Sequence, residues 1–131
     1  METQLQSKTI LLVDDDVDFL AQHQALLAAT GAKVITAESQ AQAEEILKQT
    51  KPSLAILDLM MEHVDAGFAL CHHIKKLDPK IPVIIVTAVN SETGIDFDAA
   101  TVEERSWLKA DAFLNKPVRF EQLLAEIDKL L

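Results

Sequence analysis

A single cysteine, Cys71, in 131 residues excludes an internal disulfide framework. The stretch from Met1 to Ser7 is polar and lacks the basic start and apolar segment of a secretory signal, so it reads as a flexible tail and the cytoplasm is the expected compartment. Long apolar runs are also missing. The longest, Ile81 to Val86, contains Pro82 and falls far short of the ~20 residues of a membrane span. Glycine is scarce, with three in the chain, and the first apolar run exits into acids, so the glycine-rich phosphate loop of a flavin-binding sheet protein is not to be expected. Positive charge is the last shortage. Twelve basic against 21 acidic residues give a net charge of -9, which repels nucleic acid and anionic membrane and leaves proteins as the expected partners.

What the chain does have is 49% hydrophobic residues, enough for the core of one domain over residues 1–131. They fall in short runs of strand character: Thr9 to Val13, Val34 to Ala37, Leu54 to Leu57, Pro82 to Thr87 and Ala112 to Leu114. Helical patterns lie between them. Val17, Leu20, Gln24 and Leu27 share one spacing behind Asp16 as N-cap, with Thr30-Gly31 as the stop. Ser39 and Gln42 form a capping box for a second helix through Leu47. Gly67, Leu70, Ile74 and Leu77 line a third, closed by Asp78-Pro79. Thr101 and Glu104 open a short helix reaching Trp107 and Leu108, after an irregular stretch from Asn90 to Ala100. Phe120, Leu123, Leu124, Ile127, Leu130 and Leu131 form the stripe of the last helix. Strands alternating with helices imply an open α/β parallel sheet, doubly wound, with helices on both faces.

In such a sheet, functional groups collect outside the C-terminal strand ends. The strands here exit into Asp14, Asp15 and Asp16, into Asp58, into Thr87 and into Lys116. Three carboxylates in one crevice repel by roughly 4 kcal/mol per pair at 4 Å, so a cation is required, and hard oxygen ligands suit Mg²⁺. Asp58 stands alone at the end of its buried run, the position of a nucleophile that attacks phosphorus to make an acyl phosphate. Asp14 and Asp15 are left to hold metal, and Thr87 and Lys116 to meet the phosphoryl oxygens. His63, His72 and His73 do not converge as metal ligands and read as solvated, and Cys71 as a packed thiol.

The four segments ILLVDDD, LAILDLMM, VIIVTA and FLNKPV, in that order, resemble the signatures of the response-regulator receiver domain, of the CheY-like stand-alone kind. The resemblance implies a flavodoxin-like sheet with strand order 2-1-3-4-5. It makes Asp58 the phosphoacceptor, with Mg²⁺ held by Asp15, Asp58 and the Met60 carbonyl and by Asp14 through water. Thr87 becomes the switch hydroxyl, Phe113 the switch aromatic, Lys116 the phosphate-sensing lysine, and Lys116-Pro117 a cis peptide. Implied partners are a sensor histidine kinase or phosphotransfer protein and a downstream target, the chain itself being a monomer or weak homodimer. No output domain is expected in the chain, so that its phosphorylated state would be read by another protein, by dimerisation or by passing the phosphate on.

The chain departs from the family pattern at Glu62, where proline is usual, and in the lengthened Asn90 to Ala100 segment. Met60 and Val89, two residues beyond Asp58 and Thr87, cannot hydrogen-bond an attacking water, from which slow self-dephosphorylation is expected. Two rival readings stay open: a haloacid-dehalogenase-like phosphohydrolase with Asp14 as nucleophile, and a receiver-like binding module that never sees phosphate.

Overall fold

Side-chain alternation along the first strand divides the molecule into two cores. The computed structural model describes residues 6–58, 66–87 and 110–131. Within them β1 (Thr9–Val13), β2 (Lys33–Ala37), β3 (Leu54–Asp58), β4 (Val83–Thr87) and β5 (Ala112–Asn115) form one parallel sheet in the order β2-β1-β3-β4-β5. Leu11 and Val13 of β1 point to one face and pack with Ala55, Leu57, Val83 and Ile85. There they meet α2 (Gln40–Gln49) through Ala43 and Leu47 and α3 (Ala66–Leu77) through Leu70, Cys71 and Ile74. Ile10 and Leu12 point to the other face and pack with Leu54, Ile56, Ile84 and Leu114. There they meet α1 (Val17–Ala28) through Leu20 and Leu27 and α4 (Phe120–Leu130) through Leu123 and Ile127. Every residue of β3 is buried, as its continuous apolar run requires of a strand covered on both faces.

The helix starts follow the sequence signals. Asp16 caps α1, its carboxylate accepting the N–H of Asp18 at 3.0 Å and of Phe19 at 3.2 Å. Ser39 caps α2 by accepting the Gln42 N–H at 3.2 Å, and the Gln42 side chain accepts the Glu38 N–H at 2.8 Å, a capping box shifted by one residue on the return bond. Gly31 ends the α1 region with φ of 98°, a conformation open to a residue without Cβ. The Asp16 cap leads to a prediction: Asp16→Ala should destabilise the chain by about 1 kcal/mol, measured by urea unfolding, because it removes both bonds to the first turn.

Two helix faces differ from their expected patterns. On α1, Val17 is 56% exposed and Gln24 is exposed, while His23 is buried. The inward stripe is Leu20, His23 and Leu27, spaced by three and four. Val17, as the first helical residue, lies at the strand-end rim where the sheet no longer covers it. On α3, Leu70 and Ile74 are buried but Leu77 is 49% exposed, since the helix ends there and Asp78 turns the chain away. The Asp78 carboxylate lies 2.6 Å from the Lys51 ammonium. That contact, with the Lys80 N–H, holds its carboxyl below the usual aspartate range. Its stabilising contribution is therefore present above the ordinary aspartate pKa and is lost as pH falls through the lowered one. Lys75 ties α3 to the sheet through the Ile81 carbonyl at 2.7 Å and Asp111 Oδ2 at 2.8 Å, and the same Asp111 oxygen accepts the Val83 N–H.

The Met60 carbonyl, Glu62, His63, Val89, the Asn90 to Ala100 stretch and the short helix through Trp107 lie outside the described residues, as does the Thr87 side chain. Among the described residues no helix is long and apolar enough to cross a membrane.

Candidate functional site

Register places the acids side by side. Val13 of β1 pairs with Leu57 of β3, so the residues that follow, Asp14 and Asp58, emerge level with each other. Asp58 in turn pairs with Val86, one residue before Thr87, which pairs with Asn115, one residue before Lys116. Four of the expected site residues thus leave the sheet at one edge, next to the point where the strand order turns from β1–β2 to β1–β3. Phe113 pairs with Ile85, is half-buried, and packs against the α2/α3 core.

Oxygen atoms of Asp14, Asp15 and Asp58 all lie within 4.8 Å of one another. Asp14 is 1% exposed and Asp58 is buried, while Asp15 is exposed and opens the group to solvent. Asp14 Oδ1 accepts the Asp16 N–H at 2.9 Å. Its Oδ2 lies 2.8 Å from Lys116 Nζ, an ion pair by distance without the alignment of a hydrogen bond, so this buried oxygen keeps unused accepting capacity. Among the described residues one lysine is paired with these three carboxylates, and each repelling pair at this spacing costs about 3 kcal/mol at an effective dielectric near 20. All the donors are hard oxygens. The orphaned Oδ2 and this donor set fit a hard divalent cation.

Lys116 precedes a cis peptide to Pro117, and its side chain is 19% exposed. Beyond Asp14, its Nζ lies 4.8 Å from the centroid of the Phe19 ring, which stacks on His23 with centroids 4.0 Å apart. Sequence reasoning missed both. Their signal was available only in part: an aromatic in the first turn behind an N-cap must lie near the strand ends, but its meeting with a lysine from the last strand is a tertiary contact. His72 is exposed and His73 half-buried, and neither belongs to the carboxylate group.

A doubly wound parallel sheet with a carboxylate triad and a lysine at its switch point defines a class of phosphate- and metal-handling domains. Within that class the chain belongs to the response regulator receiver domain family, whose model matches residues 10–128. It is 38% identical over 125 residues to the transcriptional regulatory protein ZraR of Escherichia coli, covering 93% of this chain and 26% of ZraR. It is 32% identical over 131 residues to the transcriptional regulatory protein PrrA of Mycobacterium leprae, covering 100% of this chain and 53% of PrrA. The chain thus spans between a quarter and about half of these curated relatives. Among solved structures it is similar to a CheY-like receiver domain protein from Methanospirillum hungatei, with a TM-score of 0.78, 28% identity and coverage of 95% and 94% of the two chains. It is also similar to the response regulator TrrA of Thermotoga maritima in complex with Mg²⁺-BeF, with a TM-score of 0.75, 27% identity and coverage of 95% and 99%. The regulators among these relatives leave the expectation that nucleic acid is no partner without support: the repulsion argument concerns this chain's charge alone.

Proposed function

We propose that the chain acts as one phosphoacceptor unit of a two-component signalling system, with Asp58 as the acceptor. The observation that carries this reading is the convergence of Asp14, Asp15 and Asp58 within 4.8 Å, beside the one lysine paired to Asp14. In the reaction, an Asp58 carboxylate oxygen attacks the phosphorus of a phosphohistidine on a sensor histidine kinase or phosphotransfer protein. The P–N bond breaks, and the imidazole leaves with the electron pair and takes up a proton. Asp14 and Asp15, with Asp58 and the Met60 carbonyl, would hold Mg²⁺, which supplies positive charge to the phosphoryl oxygens when bound. Lys116 supplies a second positive charge, and Thr87 a hydroxyl at the neighbouring strand end. Thr87 and Phe113, on the adjacent strands β4 and β5, form the switch through which a downstream target reads the added charge. The TrrA complex with Mg²⁺-BeF supports the same ligand chemistry.

Both oxygens of Asp14 are engaged, one accepting a backbone N–H and the other facing the lysine, which counts against it as the nucleophile. The test is incubation of the full chain with Mg²⁺ and acetyl phosphate, read by intact mass. A single phosphoryl adduct is expected, absent with chelator and absent in Asp58→Asn. An adduct retained in Asp58→Asn but lost in Asp14→Asn would move the reading to the phosphohydrolase-like chemistry. No adduct on the wild-type chain would leave a binding module and overturn the proposal.

A further inference from the structure

Lys116 must serve two charge states, and its ion pair serves only one. Beside the bare carboxylates, Nζ is attracted to Asp14 Oδ2 at 2.8 Å. Once a divalent cation shares that carboxylate, the same contact weakens and the cation repels the ammonium, which then has a short path to solvent because the side chain is only part-buried. A second anchor that carries no charge and binds no metal removes this difficulty. The ring of Phe19 is placed to be that anchor, with Nζ 4.8 Å from its centroid, inside the range of a cation–π contact.

The ring is itself held. Its backbone N–H is bonded to the Asp16 cap at 3.2 Å, so the residue that starts α1 also sets where the ring leaves the helix. The ring stacks on His23, centroids 4.0 Å apart and planes 24° apart. His23 is buried, and its Nδ1 lies 3.0 Å from the Phe19 carbonyl, which orients the imidazole against the ring one turn away. The geometry points to Phe19 as a positioning residue for Lys116, keeping the ammonium at the mouth of the site when Asp14 turns to a metal, with His23 as the support that keeps the ring in place. The inference rests on the reading that Lys116 meets a phosphoryl group. A ring face attracts a cation without a directional bond, so Nζ can turn from the carboxylate to a phosphoryl oxygen without leaving its anchor.

Phe19→Leu and Phe19→Trp separate this role from simple packing. In the metal-free full chain, side-chain NMR of Lys116 should show its ε-methylene protons shifted upfield by the ring, with the shift lost in Phe19→Leu and kept in Phe19→Trp. At saturating Mg²⁺, the acetyl phosphate rate of Phe19→Leu should fall about threefold to tenfold, with Phe19→Trp near wild type. A leucine variant phosphorylated as fast as wild type would overturn the inference, as would wild-type ε-methylene protons that show no ring shift, or a tryptophan variant as slow as the leucine one. If the wild-type chain took no phosphoryl group, the phosphoacceptor reading would fail by itself, and the NMR shift would still decide whether Phe19 holds the ammonium.

Discussion

Asp58→Asn is expected to raise the stability of the metal-free chain while abolishing most of its stabilisation by Mg²⁺. Three carboxylates lie within 4.8 Å, and the lysine pairs with Asp14. An amide at position 58 keeps the shape of the side chain and removes two of the three repulsive pairs. With each pair costing about 3 kcal/mol at full charge, and with water reaching the group beside Asp15, a net gain of about 1 to 2 kcal/mol is a reasonable magnitude. Mg²⁺ reverses the order. A ligand that binds only the folded state adds about 2.7 kcal/mol at a hundred times its dissociation constant. Wild type receives that in full, whereas the variant has lost one of its three carboxylates. Thermal unfolding of both chains with chelator and with Mg²⁺ should therefore give curves whose order crosses. A variant less stable than wild type in chelator would show that Asp58 contributes structural bonds that outweigh the repulsion.

Lys116→Ala should act in the opposite sense. It removes the cation 2.8 Å from Asp14 Oδ2 and leaves a carboxylate that is 1% exposed with the Asp16 N–H as its aligned donor. Stripping one partner from a buried pair costs 3 to 5 kcal/mol when both are enclosed; with this lysine 19% exposed, about 2 kcal/mol is expected in chelator. Mg²⁺ binding, in contrast, should tighten about tenfold, because a positive charge beside the carboxylate group no longer opposes the ion. Calorimetric titration with Mg²⁺ checks the second half and urea unfolding the first. Unchanged or weaker Mg²⁺ binding would mean that the lysine orders the carboxylates more than it competes for them.

The sheet was legible because its central strands β1, β3 and β4 are buried on both faces and so appear as unbroken apolar runs, each ended by a polar residue. That punctuation also pointed to the candidate site: Asp14, Asp58 and Lys116 interrupt the pattern at the places where the strands stop. The α1 face was misread at Val17 and Gln24 because the rim of the sheet, invisible to periodicity, decides which turn of a helix is covered. His23 was passed over for a related reason. A histidine at an inward position is as compatible with solvent as with a core until its stacking partner is known, and that partner, Phe19, itself meets a lysine contributed by the last strand. Leu77 shows the same limit at a helix end, where the stripe continues in sequence after the surface beneath it has ended.

The position of β3 has a mechanical consequence. It is bonded to β1 on one side and to β4 on the other, and its residues are enclosed on both faces, so it behaves as an anvil. Displacing the strand that carries Asp58 would break hydrogen bonds to two neighbouring strands and open both cores. β5, by comparison, is bonded among the described residues to β4 alone and bears both Phe113 and the approach to Lys116. A central strand fixed on both sides and an edge strand fixed on one are the unequal supports on which the proposed switch from Asp58 to Phe113 would turn.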